Sequence, residues 1–330
     1  MTMSFDRIFR NTMATAIAAI AASLAACGAL GQDYPSKPVH VIVPYQAGGR
    51  VDLAMRIIGQ NLSNQWGQPV IIDNRPGAGG NTGMAQAANA PPDGYTLVSG
   101  ANPMSANVTL YRNLPFDTLT AFAPITLYYV DANALVVHPS LPVSSVADLV
   151  ALAKAKPDEL TYASSGNGTS LHLSAELFKS MAGVKITHIP YRGVPPAVSD
   201  VMGRRVTMMF LGLSIATPYI QSGALKALAV TSEKRFSLLP NLPTLDESGL
   251  KGFEASSWAG LLAPAGTPPV IIAKVHRDMV SALNTPEVRS ALVKRGFEVV
   301  GNSPEEFSAI IKTEIDKWGA IIRATGAKVD

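Results

Sequence analysis

A single cysteine, Cys27, stands in 330 residues, so no disulfide can form within one molecule and stability must come from a packed core. The five histidines, His40, His138, His172, His188 and His276, show no metal-ligand spacing, and no second cysteine could complete a site. Carboxylates are spread thinly, with no pair placed for acid–base work. The dinucleotide pattern G-x-G-x-x-G fails in both candidates. Gly77-Ala78-Gly79 has Thr82 where the third glycine belongs, and Gly166-Asn167-Gly168 has Leu171. Neither a Gly-Lys-Ser/Thr phosphate loop nor a G-x-S-x-G nucleophile elbow is present. Formal net charge is +3. Arg7, Arg10 and Asp6 lie at the start, which leaves about +2 on the remainder, too little and too scattered to argue for nucleic acid. No later apolar run is long enough to span a bilayer, and no strict repeat or low-complexity segment occurs. No metal and no cofactor is expected, and the missing catalytic machinery favours a binding protein over an enzyme.

Residues 1–31 read as a secretory leader. Arg7 and Arg10 precede an apolar stretch, residues 14–26, that is short for a membrane span. Leu24-Ala25-Ala26-Cys27 resembles a bacterial lipobox, in which Cys27 would be lipidated and become the mature N-terminus. Ala29-Leu30-Gly31 offers small residues for an ordinary cut before Gln32. A soluble exported protein is the leading expectation, with a lipid anchor on Cys27 as the alternative. About 300 residues then remain, enough for two α/β lobes.

The stretch from Val39 to Trp66 organises the rest of the chain. Val39 to Tyr45 is a short apolar run suited to a strand buried on both faces. From Val51 the period changes, and Val51, Ala54, Met55, Ile58 and Leu62 form a helical stripe. Gly48-Gly49 therefore feed a helix N-terminus, whose unpaired N–H groups and partial positive charge favour an anion. A tight turn without a ligand is the competing reading. The pattern recurs. Gln68–Asn74 is a strand before a second glycine loop, Gly77 to Gly83, and a short helix near Met84–Ala88. Thr161–Ala163 leads into Ser164-Ser165-Gly166-Asn167-Gly168-Thr169-Ser170 and a helix over Leu171–Met181 closed by Gly183. Such alternation argues for a mostly parallel sheet wrapped by helices.

Between these units, Ser144 or Ser145 can cap a helix over Val146–Lys156, with Asp148 in its first turn. Arg235 to Gly249 is expected to be a surface connection. Toward the end, Thr267-Pro268, Thr285-Pro286 and Ser303-Pro304 each place a hydroxyl before a helix-starting proline, and Glu306 completes a capping box with Ser303. Phe307, Ile310, Ile311, Ile315, Trp318, Ile321 and Ile322 make a core-facing stripe on the last helix.

Several motifs, in order, resemble the Bug proteins, the extracytoplasmic receptors of the tripartite tricarboxylate transporters. They are Tyr34-Pro35-Ser36-Lys37-Pro38, Gly48-Gly49-x-x-Asp52, Asn74-Arg75-Pro76-Gly77-Ala78-Gly79-Gly80 and Pro92-Asp93-Gly94-Tyr95-Thr96-Leu97. His188-Ile189-Pro190-Tyr191-Arg192-Gly193 and Trp258-Ala259-Gly260-Leu261 complete the set. The resemblance implies a type II periplasmic binding protein fold. Two α/β lobes with mostly parallel central sheets, helices on both faces and a ligand cleft between them would close like a flytrap. It assigns residues 32–130 and 258–330 to lobe 1 and residues 131–257 to lobe 2. It implies a monomer in the periplasm that captures a small carboxylate (a di- or tricarboxylate, an amino acid or an aromatic acid), partly through water. The partner would be the transporter's membrane subunits or a sensor kinase. An exported α/β enzyme acting on a small acid is the other class left open.

Carried onto this sequence, the resemblance places Tyr45, Ala47, Gly48, Gly49 and Asp52 on one wall of the cleft. Ser164, Ser165, Thr169, Ser170 and His172 fall on the other, with Tyr191 nearby. From the residues alone, a packed or exposed His172 is the leading reading, ahead of one that faces the ligand. Two positions depart from the family: Val51 where serine or threonine is frequent, and Thr207 where aspartate is common. Arg50 is expected to point to solvent, the alternative being a contact with a second ligand carboxylate. The carboxylate itself is expected to be held by backbone and hydroxyl donors around Gly48-Gly49 and Thr169-Ser170.

Overall fold

The computed structural model describes residues 34–236 and 239–326. The leader expected over residues 1–31, with Cys27 and both candidate cuts, lies outside the described residues.

From Pro38 onward the chain is built on two sheets. Val39–Val43 (β1) alternates with Arg50–Trp66 (α1), Val70–Asn74 (β2), Asn81–Ala88 (α2) and Thr96–Ala101 (β3). β1 pairs in parallel with β2 and β3, because helical crossovers return each strand in the same sense. α1 buries Val51, Ala54, Met55, Ile58 and Leu62, the stripe read from the sequence, and ends at Gly67 in a left-handed cap. The long strand Phe122–Asp131 (β4) then leaves this sheet. After Ala132 the chain enters the second sheet as Asn133–Val137 (β5). That sheet is completed by Thr161–Ser164 (β6), Thr187–Pro190 (β7), Met208–Gly212 (β8) and Lys226–Val230 (β9), in the order β7-β6-β8-β5-β9. Ser257–Pro264 (β10) returns to the first sheet between β4 and β3, and Glu298–Val299 (β11) closes its edge.

The sheets are mixed, where mostly parallel ones were expected. β6 pairs in parallel with β7 and β8, but β4, β5, β9, β10 and β11 pair antiparallel. Neither the passage from β4 to β5 nor that from β9 to β10 contains a crossover helix to restore strand direction.

Two helices without a sequence signal flank the junction. Pro103–Leu110 (α3) buries Pro103, Met104, Ser105, Ala106, Asn107 and Leu110, so it has no polar face and no readable stripe. Leu213–Gln221 (α7) carries Pro218 inside. The remaining helices of the second sheet are Val146–Ala155 (α4), Ser170–Ala182 (α5) and Val194–Met202 (α6). Those following β10 are Pro269–Asn284 (α8), Pro286–Val293 (α9) and Pro304–Thr325 (α10). Ser303 with Glu306 forms the expected capping box, and of the two candidate caps before α4 it is Ser145 that serves, in a capping box with Asp148. The hydroxyls of Thr267 and Thr285 do not cap. Each donates backward, to Pro264 O and Ala282 O at 2.8 Å, and so closes the preceding turn. Within the stretch expected at the surface, Leu245 is buried in the second sheet's core, and Thr244 bridges Val230.

One helix stitches the two cores together. Phe307 and Ile311 of α10 pack with Ile42, Val98, Leu127, Trp258 and Leu262 against the first sheet. Two turns later Trp318 and Ile322 join Ala106, Leu135, Tyr162, Phe178 and Phe210 in the core of the second. Each buried side chain of this size contributes roughly 1.5–3 kcal/mol.

Candidate functional site

A cavity of about 540 Å³ opens between the sheets, beyond the carboxyl ends of β1, β2, β6 and β7. This is where ligands settle in open α/β sheets, because the loops there lead into helix N-termini. Tyr45, Ala47 and Gly49 line it from the first sheet; Ser165, Thr169, Ser170 and Tyr191 line it from the second. The walls meet at the rim. A Cβ on Gly79 would lie 3.1 Å from Asn167 O, and one on Gly193 would overlap Gln46 Oε1.

Gly48, Asp52, Ser164 and His172 stand behind these walls. The Asp52 carboxylate accepts from Gly48 N at 2.9 Å, Arg56 Nε at 3.0 Å and Asn74 Nδ2 at 3.0 Å. Burial opposes its ionisation, but these three donors and the Arg56 charge hold its pKa below the usual carboxylate value. Asp52 thus fixes the glycine loop in the shape that exposes the first-turn N–H groups of α1.

The second loop is braced from beneath by two neutral histidines. His172 Nδ1 accepts from Gly168 N at 3.1 Å, and His188 Nε2 pairs with Ser164 Oγ at 2.6 Å. The two rings stack at 4.5 Å, with Tyr162 stacked on His188 at 4.6 Å. Burial first, and then Lys179, pushes the His172 pKa down to about 4. Burial first, and then His172, pushes that of His188 down to about 3. Both are therefore neutral at pH 7, as an accepting ring nitrogen requires.

The hydroxyls of the second wall divide their roles. Thr169 Oγ1 donates to Gly166 O at 2.8 Å and accepts from His172 N at 3.5 Å, so it is committed to capping α5. The Tyr191 hydroxyl donates to Asp200 Oδ2 at 2.5 Å, and burial with this bond pushes its pKa up to about 12. Tyr191 therefore turns its donor away from the cavity. Ser170 Oγ is engaged as an acceptor, which leaves its hydrogen for a ligand.

The group on Ser170 is Arg50, and here the structure corrects the sequence reading. Arg50 does not point to solvent: its side chain is 10% exposed and lines the cavity. Nη2 donates to Ser170 Oγ at 2.5 Å, across the cleft, while Nη1 donates to Asp131 Oδ2 and Asn133 Oδ1 at 3.1 Å each. Asp131 is wholly buried and also accepts from Ser214 Oγ at 2.8 Å. Burial raises its pKa, with the Arg50 charge acting against that. No local pattern could reveal the pair, since the partners lie 81 residues apart.

Comparison with known proteins gives this cleft its context. The family described as "Tripartite tricarboxylate transporter family receptor" matches residues 54–327. The chain belongs to that family. As a member of this receptor family it is a binding protein rather than an enzyme. It is 35% identical to protein BugT of Bordetella pertussis over 298 residues, 90% of this chain and 91% of that one. It superposes with a TM-score of 0.86 on R. palustris Rpa4515 with adipate, at 37% identity, covering 89% of this chain and 99% of that one. The periplasmic binding protein BugD gives 0.84 at 34% identity, with 89% and 99% covered. MatC (Rpa3494) from Rhodopseudomonas palustris with bound malate gives 0.83 at 30% identity, with 88% and 100% covered. The two-sheet architecture is thus that of periplasmic binding proteins.

Proposed function

We propose that this receptor captures a small carboxylate in the cleft, closes on it by hinge motion and delivers it to the membrane subunits of a tripartite transporter. One observation carries the reading. The starts of α1 and α5, on opposite sheets, face one cavity with Ser170 and the Arg50 guanidinium between them. Each helix start offers unpaired N–H groups and a partial positive charge to an anion. Relatives bearing adipate and malate support the ligand class. The contacts of Arg50 with Ser170, and of the rim loops with one another, exist only when the walls are together. A ligand that touches both walls therefore favours the closed arrangement by its differential affinity. The leader-like composition of residues 1–31 and the periplasmic relative BugD support a location in the periplasm, soluble or anchored through Cys27.

Two substitutions separate gripping from capping. Ser170→Ala should weaken binding of whichever small carboxylate the chain takes up about tenfold or more, because a donor to a charged group is lost. Thr169→Val should instead lower stability by about 1 kcal/mol through the lost cap. Calorimetric titration and thermal melts of both variants read the two effects. Unchanged affinity in Ser170→Ala contradicts the proposed grip.

A further inference from the structure

Resting on the carboxylate reading above, we propose that the cleft selects acids with one charged end and an extended apolar body over compact, multiply charged acids. The charge inventory of the wall carries this. Among the residues lining the cavity there is no Asp, Glu, Lys or His, and the only formal charges are Arg50 and Arg192. The charge of Arg50 is already balanced by buried Asp131, and three of its N–H groups are held by Asp131, Asn133 and Ser170. Arg192 is exposed at the mouth, where water screens it.

Around the N–H groups of the two helix starts, much of the wall is apolar: Pro44, Val51, Pro103, Leu171, Val194 and Ile215. Val51 is buried and supplies a methyl surface where a hydroxyl would have offered a donor. A second ionised carboxylate pushed against this surface would lose its water and meet no unspent counter-charge, which is strongly unfavourable. A chain of several methylenes or an aromatic ring would bury apolar surface there and gain. The cavity, at about 540 Å³, has room for such a body.

The test is competitive calorimetry of the full chain against hexanoate, benzoate, malate and citrate. Hexanoate or benzoate should bind at least tenfold more tightly than malate and citrate. Ile215→Lys, which sets a cation on the apolar wall, should shift the malate-to-hexanoate affinity ratio at least tenfold toward malate. Malate or citrate binding as tightly as both apolar acids overturns the proposal and leaves the receptor reading standing. Silence from all four acids overturns the carboxylate reading and this proposal with it. An Ile215→Lys ratio equal to that of the unsubstituted chain also contradicts it, because the wall would then not decide selectivity.

Discussion

Replacing Asp131 with alanine should lower the unfolding free energy by about 3–5 kcal/mol, because it strands a buried guanidinium without an anion. Asp131 is 1% exposed, and its carboxylate joins Arg50 of α1 to Ser214 of α7 at 3.1 and 2.8 Å. Burial raises the pKa of Asp131, with the Arg50 charge and its hydrogen bonds acting against that. A carboxylate shifted upward on folding is destabilising above its unfolded pKa and relieved as pH falls through its folded one. The pair is thus a device of position rather than a source of net stability. It follows that Arg50→Met combined with Asp131→Leu should restore most of the stability that Asp131→Ala loses. Urea unfolding of the three chains measures this. A loss under 1 kcal/mol in Asp131→Ala would show that Arg50 finds another partner or water.

Glu314→Ala should cost about 3 kcal/mol or more, since three buried or half-buried donors lose one acceptor. Glu314 Oε2 accepts from Asn102 Nδ2 at 3.0 Å, Trp258 Nε1 at 2.9 Å and Trp318 Nε1 at 2.7 Å. Asn102 Oδ1 in turn accepts from Trp258 N at 2.8 Å. The network ties the end of β3, the start of β10 and the middle of α10 together where the chain crosses between sheets. Its loss should lower the melting temperature as a single cooperative transition. A melting temperature unchanged in Glu314→Ala would refute the role assigned to this junction.

Much of this fold is legible locally. The loop–helix passages at Gly48-Gly49 and Thr169-Ser170 carry a change of period from two to near four, and both appear as strand, loop and helix. Ser145 with Asp148, and Ser303 with Glu306, signal helix starts because capping chemistry is settled within four residues. α3 was invisible for the opposite reason. Most of it is buried and its exposed residue is apolar Val108, so its sequence has no polar face to set a period. The same limit hid the roles of Arg50 and Thr169. Arg50 has carboxylate and amide partners that only the passage from β4 to β5 brings within reach. Thr169 looked like a ligand donor, but its hydrogen is spent on Gly166 O. His172 and His188 are similar: nothing in their spacing foretells two stacked neutral rings holding a loop from below.

A receptor that captures without chemistry binds its acid between the two helix starts and releases it unchanged. Native mass spectrometry of the exported protein with a small carboxylate should therefore show one adduct per chain, recovery of the acid with its mass unaltered, and loss of the adduct in Gly49→Val. In that variant a branched side chain would stand at the N-cap of α1, beside the cavity. A chemically altered acid, or an adduct that survives in Gly49→Val at the same occupancy, would contradict this reading.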